Sequence, residues 1–308
     1  MKKLKALALV LAVMMCMVGF VGCSNSGDEK KDTDAKTTES ADATEEAVSE
    51  EIPEGGTFTV GFDASFPPYG YTADDGSYTG FDIELATEVA ARRGWTIQLQ
   101  AIDWDSKDFE LSSRAIDCIW NGFTMNGRED EYTWSRAYVD NSQVFVVKSD
   151  SGIASPADLA GKNVVVQADS SAEAALNEEE NAELTASFAQ LLSVPEYNTA
   201  FLNLESGAVD AVAMDIGVAE YQIESRGEGY EILEEKLATE QYGIGFLLGN
   251  TALRDQVQET LDEMMADGKF MEIAEKYGLQ DSVIMKEDAD SNTAASSEES
   301  AEVTEAAQ

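Results

Sequence analysis

The chain has no histidine, three cysteines and five prolines in 308 residues, and 20 lysines and arginines against 60 aspartates and glutamates. Each shortage removes a class of chemistry. Without histidine, the common nucleophile–base pairs and the usual zinc sites are missing, and neither a metal nor a cofactor is expected. Cys16 lies in an N-terminal leader and Cys23 directly after it, which leaves Cys118 as a small core residue on an apolar strand and no disulfide framework. Basic residues are too few to offset the acids. The formal net charge is −40; residues 1–22 count +3, 23–51 count −7 and 284–308 count −6, which leaves −30 on the part between. That sign argues against nucleic acid and anionic lipid surfaces as partners. Long apolar runs are scarce too, the leader excepted.

In that leader, Lys2, Lys3 and Lys5 precede an apolar run from Ala6 to Gly22, short and one-sided for a membrane-spanning helix. It stops at Phe20-Val21-Gly22-Cys23, which resembles the bacterial lipoprotein signal, with Phe20 where leucine is usual. The resemblance implies a signal peptide over 1–22 and lipid attachment at Cys23; an ordinary signal peptide that contains a cysteine is the alternative. Residues 23–51 are rich in Ser, Thr, Ala, Asp and Glu without apolar periodicity, and 284–308 read the same way. Neither segment can bury enough surface to offset its ordering entropy, so a disordered acidic tether and a disordered acidic tail are expected.

Between them lies an internal repeat. Leu111-Ser112-Ser113-Arg114-Ala115-Ile116-Asp117-Cys118-Ile119 and Leu204-Glu205-Ser206-Gly207-Ala208-Val209-Asp210-Ala211-Val212 share L-x-S-x-A-[IV]-D-x-[IV]. Each copy reads as a helix end, a tight turn and a short buried strand, which suggests two lobes of like architecture. A polar segment follows each strand: Asn121-Gly122-Phe123-Thr124 after the first and Asp215 after the second. Ligands of open α/β sheets sit beyond the carboxyl ends of strands, so a cleft between the lobes is the expected site. Strands are predicted over 57–62, 96–99, 116–121, 144–148, 163–167, 211–214 and 242–248, with helices over 81–93 and 106–113 and after 155, 170, 197 and 215. The spacing of Leu253, Val257, Leu261, Met264, Phe270, Ile273 and Tyr277 adds two amphipathic helices broken at Gly268. The predicted fold is α/β and two-lobed, with 52–147 and 242–283 in one lobe, 148–241 in the other, and two crossings that form a two-strand hinge.

The order and spacing of several stretches resemble the extracytoplasmic solute-binding proteins of amino-acid ABC transporters, the polar amino acid group. These are T-F-T-V-G-F-D with F-P-P-Y, G-F-D-I-E-L-A from Gly80, I-D-C-I-W-N-G-F-T from Ile116, S-P-A-D-L-A-G-K-N-V-V-V-Q from Ser155, V-D-A-V-A-M-D ending at Asp215, and Y-G-I-G-F from Tyr242. The likeness spans 52–278. It implies the periplasmic-binding-protein-like fold, and capture of a free amino acid, polar or cationic, for delivery to an ABC permease with its ATPase. It also implies an extracytoplasmic place at the cell membrane, held by the lipid anchor only, and a monomer that is not an enzyme. Two departures stand out. Thr124-Met125-Asn126-Gly127-Arg128 is one residue short of the family's spacing, and Asp169 stands where glycine is usual.

By that resemblance Arg128 would clamp the α-carboxylate through two parallel donors, with Ser170 and Ser171 at a capped helix start. Asp215 would take the α-ammonium, and Asn121, Gly122 and Thr124 would complete the contacts from the opposite lobe. Phe66 and Trp104 would sandwich the ligand side chain, with Asp63 beside them favouring a cation or amide. Each residue has a plainer role open to it: surface ion pair for Arg128, helix cap for Ser170, Ser171 and Asp215, core aromatic for Phe66 and Trp104, turn residue for Asp63. Two other functions stay open, a dehydratase-like enzyme of the same fold and a sensor that presents bound ligand to a receptor.

Overall fold

The computed structural model describes residues 49–285. Cys23, the signal peptide, most of the tether and nearly all of the acidic tail lie outside them. Successive βα units account for most of what is described: β1 (Thr57–Phe62), α1 (Phe81–Arg93), β2 (Thr96–Ala101), α2 (Lys107–Ser112) and β3 (Cys118–Thr124). A crossing strand, β4 (Val139–Lys148), leads to β5 (Asn163–Gln167), α3 (Ser171–Asn177), α4 (Ala182–Ser187) and β6 (Gln190–Val194). Then come α5 (Tyr197–Ser206), β7 (Ala211–Asp215), α6 (Ile216–Arg226), the second crossing strand β8 (Ala238–Phe246), α7 (Thr251–Ala266) and α8 (Lys269–Lys276).

The main strands pair in the order β6-β5-β7-β4-β8-β3-β1-β2. The order is palindromic in kind. β1 lies parallel between β2 and β3, β5 lies parallel between β6 and β7, and each trio is flanked by one antiparallel crossing strand. The crossing strands pair with each other only over Val139–Gln143 and Ala238–Tyr242, a two-strand ribbon that joins the two halves. The central strands β3 and β7 are buried at every residue, as strands covered on both faces must be. The edge strands β2 and β6 keep exposed positions along their length.

The internal repeat is structural as well as textual. Arg114 and Gly207 occupy the same place in it, and both are left-handed, with φ of 62° and 77°. Asp117 accepts the backbone N–H of Thr59 on β1 at 2.6 Å, and Asp210 accepts that of Asn163 on β5 at 2.8 Å. Each repeat therefore carries an aspartate, just ahead of its strand, that locks it onto the first parallel strand of its own half.

Several boundaries differ from expectation. β3 begins at Cys118 and runs to Thr124, because Asp117 is engaged in that lock and Phe123 and Thr124 at the far end pair with β8. β4 starts at Val139 and β8 at Ala238, upstream of the apolar runs that suggested them, because the buried Asn141 and Gln143 amides of β4 donate to the Glu240 carboxylate on β8. Val144–Val147 pairs with β7 and with the short strand Tyr230–Ile232, so a lobe boundary at 147 falls inside the second half's sheet. At the ends, Ser49 bonds to Thr251 and Glu50 to Asn250 and Arg114, while the Ile284 N–H donates to the Tyr138 carbonyl and Met285 is buried. The last tether residues and the first tail residues are thus part of the packed structure.

Candidate functional site

The carboxyl ends of the inner strands of both halves meet. Asp63 follows β1 and Gln167 ends β5, and the Gln167 amide donates to Asp63 across the cleft at 2.7 Å. Asp63 also accepts the Ser65 N–H at 2.7 Å, and burial pushes its carboxyl up to about 6 against those two hydrogen bonds. Further bridges join the halves. Ser65 donates to Glu196 at 2.6 Å, and Tyr71 packs on Tyr221 with centroids 5.6 Å apart. Lys107, buried on α2, pairs with Asp169, whose carbonyl accepts from the Trp104 indole at 3.2 Å. Asp169 has φ 57°, so the residue that replaces glycine keeps the left-handed backbone and adds a carboxylate that reaches the opposite half.

Arg128 leaves β3 through a turn closed by its own N–H on the Met125 carbonyl at 3.0 Å. The short spacing is thereby absorbed by the Asn126-Gly127 turn, with Gly127 at φ 80°. Its guanidinium lies 5.3 Å from the Phe123 ring centroid and donates to the Thr124 carbonyl at 3.2 Å and to Ser171 Oγ, from the other half, at 3.3 Å. Ser170 caps α3 by accepting the Glu173 N–H at 3.1 Å, while the Glu173 carboxylate turns back to the Asp169 N–H at 2.7 Å. Arg128, Thr124, Ser171, Lys107, Asp169 and Glu240 share a cavity of about 680 Å³.

Asp215 ends β7 and is buried. It accepts from Tyr242 Oη at 2.5 Å, Gln143 Nε2 at 2.7 Å, Asn141 Nδ2 at 2.8 Å and Tyr197 Oη at 3.3 Å, and burial raises its carboxyl above the ordinary range. Gly122 is left-handed at φ 56°, and a Cβ there would lie 3.0 Å from the rings of Phe66 and Tyr242. Its N–H donates at 2.6 Å to Asp82, an aspartate in the first turn of α1 that burial pushes up to about 7. Asn121 is buried beside Gly70.

Phe66 stacks with Tyr69 and Tyr197, at centroid separations of 5.7 and 5.9 Å, whereas Trp104 stands edge-on to Phe123 at 5.5 Å. Each ring thus packs against an aromatic neighbour of its own. Trp104 also lines a second cavity of about 400 Å³ with Asp63, Glu196, Asp103 and Glu110. Residues that sequence reasoning missed are Asn141, Gln143, Gln167, Glu240 and the phenols of Tyr69, Tyr197 and Tyr242. Strand alternation within β4 and β8 was the available signal, but a polar residue on a strand normally reads as its solvent face.

Comparison with known proteins follows the same outline. The model of the bacterial extracellular solute-binding proteins, family 3, matches residues 58–280. The L-cystine-binding protein TcyJ of Escherichia coli (strain K12) is 28% identical over 239 residues, 76% of this chain and 86% of that one. The arginine-binding extracellular protein ArtP of Bacillus subtilis (strain 168) is 29% identical over 231 residues, 71% and 84% of the two chains. An ABC uptake transporter substrate binding protein from Streptococcus pneumoniae, solved with bound histidine, superposes with a TM-score of 0.71 at 36% identity over 74% of this chain and 95% of that one.

Proposed function

From membership of family 3 of the bacterial extracellular solute-binding proteins, to which this chain belongs, we propose that it captures a free amino acid between its two halves and delivers it to an ABC permease with its ATPase. The observation that carries this reading is that Arg128 shares a cavity with Glu240, whose two amide donors also hold Asp215. A guanidinium bonded to Thr124 and Ser171 and a buried carboxylate held by two amides and two phenols are so linked. One suits an α-carboxylate and the other an α-ammonium, charge-assisted pairs that a dry cleft strengthens. Ser170, Asn121, Gly122 and Thr124 frame the backbone of the ligand. Its side chain points toward Asp63, Trp104 and the acidic walls of the 400 Å³ cavity, which favours cationic or amide groups over acidic ones. Phe66 closes the site from within its aromatic cluster.

The chain works as a monomer and catalyses no reaction on what it binds. We place its lobes at 52–139 with 243–285 and at 143–238, joined by the ribbon, and its anchor at Cys23, on the extracytoplasmic face of the membrane. A calorimetric panel of the twenty common amino acids and L-cystine tests the reading. One or more should bind, arginine or an amide ahead of glutamate. Replacing Asp215 by Ala should cost about 2–5 kcal/mol of binding free energy, because it leaves an ammonium unpaired in the closed cleft. Arg128→Lys should weaken every ligand, since a point charge lacks the two-donor fork. Binding of no amino acid, or full affinity in both variants, would overturn the assignment.

A further inference from the structure

Glu240 is a buried carboxylate to which the amino-acid reading gives no contact with the ligand. Its place follows from register: on the ribbon it lies opposite Asn141, while Asp215 lies opposite Gln143. Asn141 and Gln143 are two residues apart on β4 and so point to one face. The Asn141 amide donates to Glu240 Oε1 at 2.6 Å and to Asp215 Oδ1 at 2.8 Å, and the Gln143 amide donates to the same two oxygens, each at 2.7 Å. The two carboxylates therefore share both of their amide donors. The amide oxygens, Asn141 Oδ1 and Gln143 Oε1, are buried and meet no donor. Such orphans are rare, because an unpaired buried acceptor loses its hydration without return. The cluster is rich in acceptors and short of donors, and Glu240 opens from it into the cavity that also holds Arg128 and Thr124.

We propose that Glu240 is a second carboxylate of the ammonium site, which with Asp215 selects for a primary ammonium and gives up to solvent a proton that the two carboxyl groups share when the site is empty. The proposal rests on the amino-acid reading above. An ammonium brings three N–H donors and a positive charge, which two adjacent carboxylates can accept together. The step breaks one carboxyl O–H bond, and its proton passes to water as the ammonium takes its place.

The surroundings agree. Burial first, then the Asp215 charge, pushes the Glu240 carboxyl up to about 7, and burial raises Asp215. Tyr197 from α5, Tyr242 on β8 and Tyr69 are held well above their ordinary value by burial and stay neutral. Glu220 on α6 acts on Tyr69. Arg128, Lys107 and Asp169 share the Glu240 cavity, with Asp108, Glu131, Glu178 and Glu180 along its wall. On the adjoining surface Lys236 donates to Ser142 at 2.9 Å, and Asp140 lies near it.

The test is calorimetry on the full chain with the same amino-acid panel, in phosphate and in Tris near pH 7, so that the heat of buffer protonation counts the protons released. The parent should release about half a proton or more per amino acid bound. Glu240→Gln keeps the size and hydrogen bonding of the side chain but cannot ionise. It should bind at least about tenfold more weakly at pH 8 and release almost no proton. A parent that binds an amino acid without releasing a proton overturns the inference alone, and so does a variant that matches the parent in affinity and proton count. A parent that binds no amino acid overturns the functional reading and this one with it. If the variant fails to fold by circular dichroism, the proton count of the parent decides by itself.

Discussion

Arg114 shows how one side chain can carry a backbone cost. It holds φ 62° where its counterpart in the second repeat copy is Gly207 at φ 77°. An L-residue with a Cβ disfavours that region by about 1–2 kcal/mol. What Arg114 gains is an ion pair with Glu50 between two half-exposed side chains, a kind of contact worth little in water. Arg114→Gly should therefore raise stability by about 1 kcal/mol in a urea titration, and Gly207→Ala should lower it by a similar amount. A loss of stability in Arg114→Gly would mean that the surface pair outweighs the backbone. Asp169, at φ 57°, differs: its carboxylate reaches a lysine that is only 2% exposed, so the strain there has a partner across the cleft.

Elements were legible where their burial was apolar. α1 occupies the residues its pattern predicts, closed by Gly94 at φ 69°, and Gly268 separates α7 from α8 as expected. Thr124 and Asp215 stood out in the sequence because they follow apolar repeat strands, where α/β folds keep their ligands, and Arg128 through the family resemblance. The ribbon was not legible. Its inward face is Asn141, Gln143 and Glu240, which a hydropathy pattern assigns to solvent, and only the cross-strand register reveals that both amides donate to the one carboxylate. The aromatic partners of Phe66 and Trp104 were not legible for a related reason, since type and spacing cannot say which of many neighbours a ring will meet. The contact of α2 with the β5–α3 loop through Lys107 and Asp169 was equally hidden, the two residues being 62 apart in the chain. Asp169→Ala leaves that buried lysine without its anion and should cost about 1–3 kcal/mol. Lys107→Met, which fills the same space without charge, should come closer to the parent. Urea unfolding of both variants checks this; equal losses would mean that packing, not charge, holds the contact.

Across the whole protein, buried acids set the response to pH. Asp82 and Glu240 are pushed up to about 7 and Asp63 to about 6, in each case chiefly by burial. These groups hold protons in the folded state that the unfolded chain releases near its ordinary values of 3.8 for Asp and 4.5 for Glu. Their contribution to stability is complete below those values and is lost as pH rises through 6 and 7. The ligand-free protein should thus melt at a lower temperature at pH 8 than at pH 5, and the surface charge works in the same direction. Asp82→Asn, which cannot ionise, should flatten part of that slope. A melting temperature that climbs steadily from pH 5 to pH 8 would contradict this account.

The ribbon that joins the halves also carries Asn141, Gln143, Glu240 and Tyr242, the groups gathered around Asp215. Were one half to turn about this ribbon, atoms on the pivot would have little moment arm, while the bridges Arg128–Ser171 and Lys107–Asp169 between the halves would part. The acidic cluster would then keep its shape at every angle of opening, and on the proposed reading a ligand would meet its anchor before its lock.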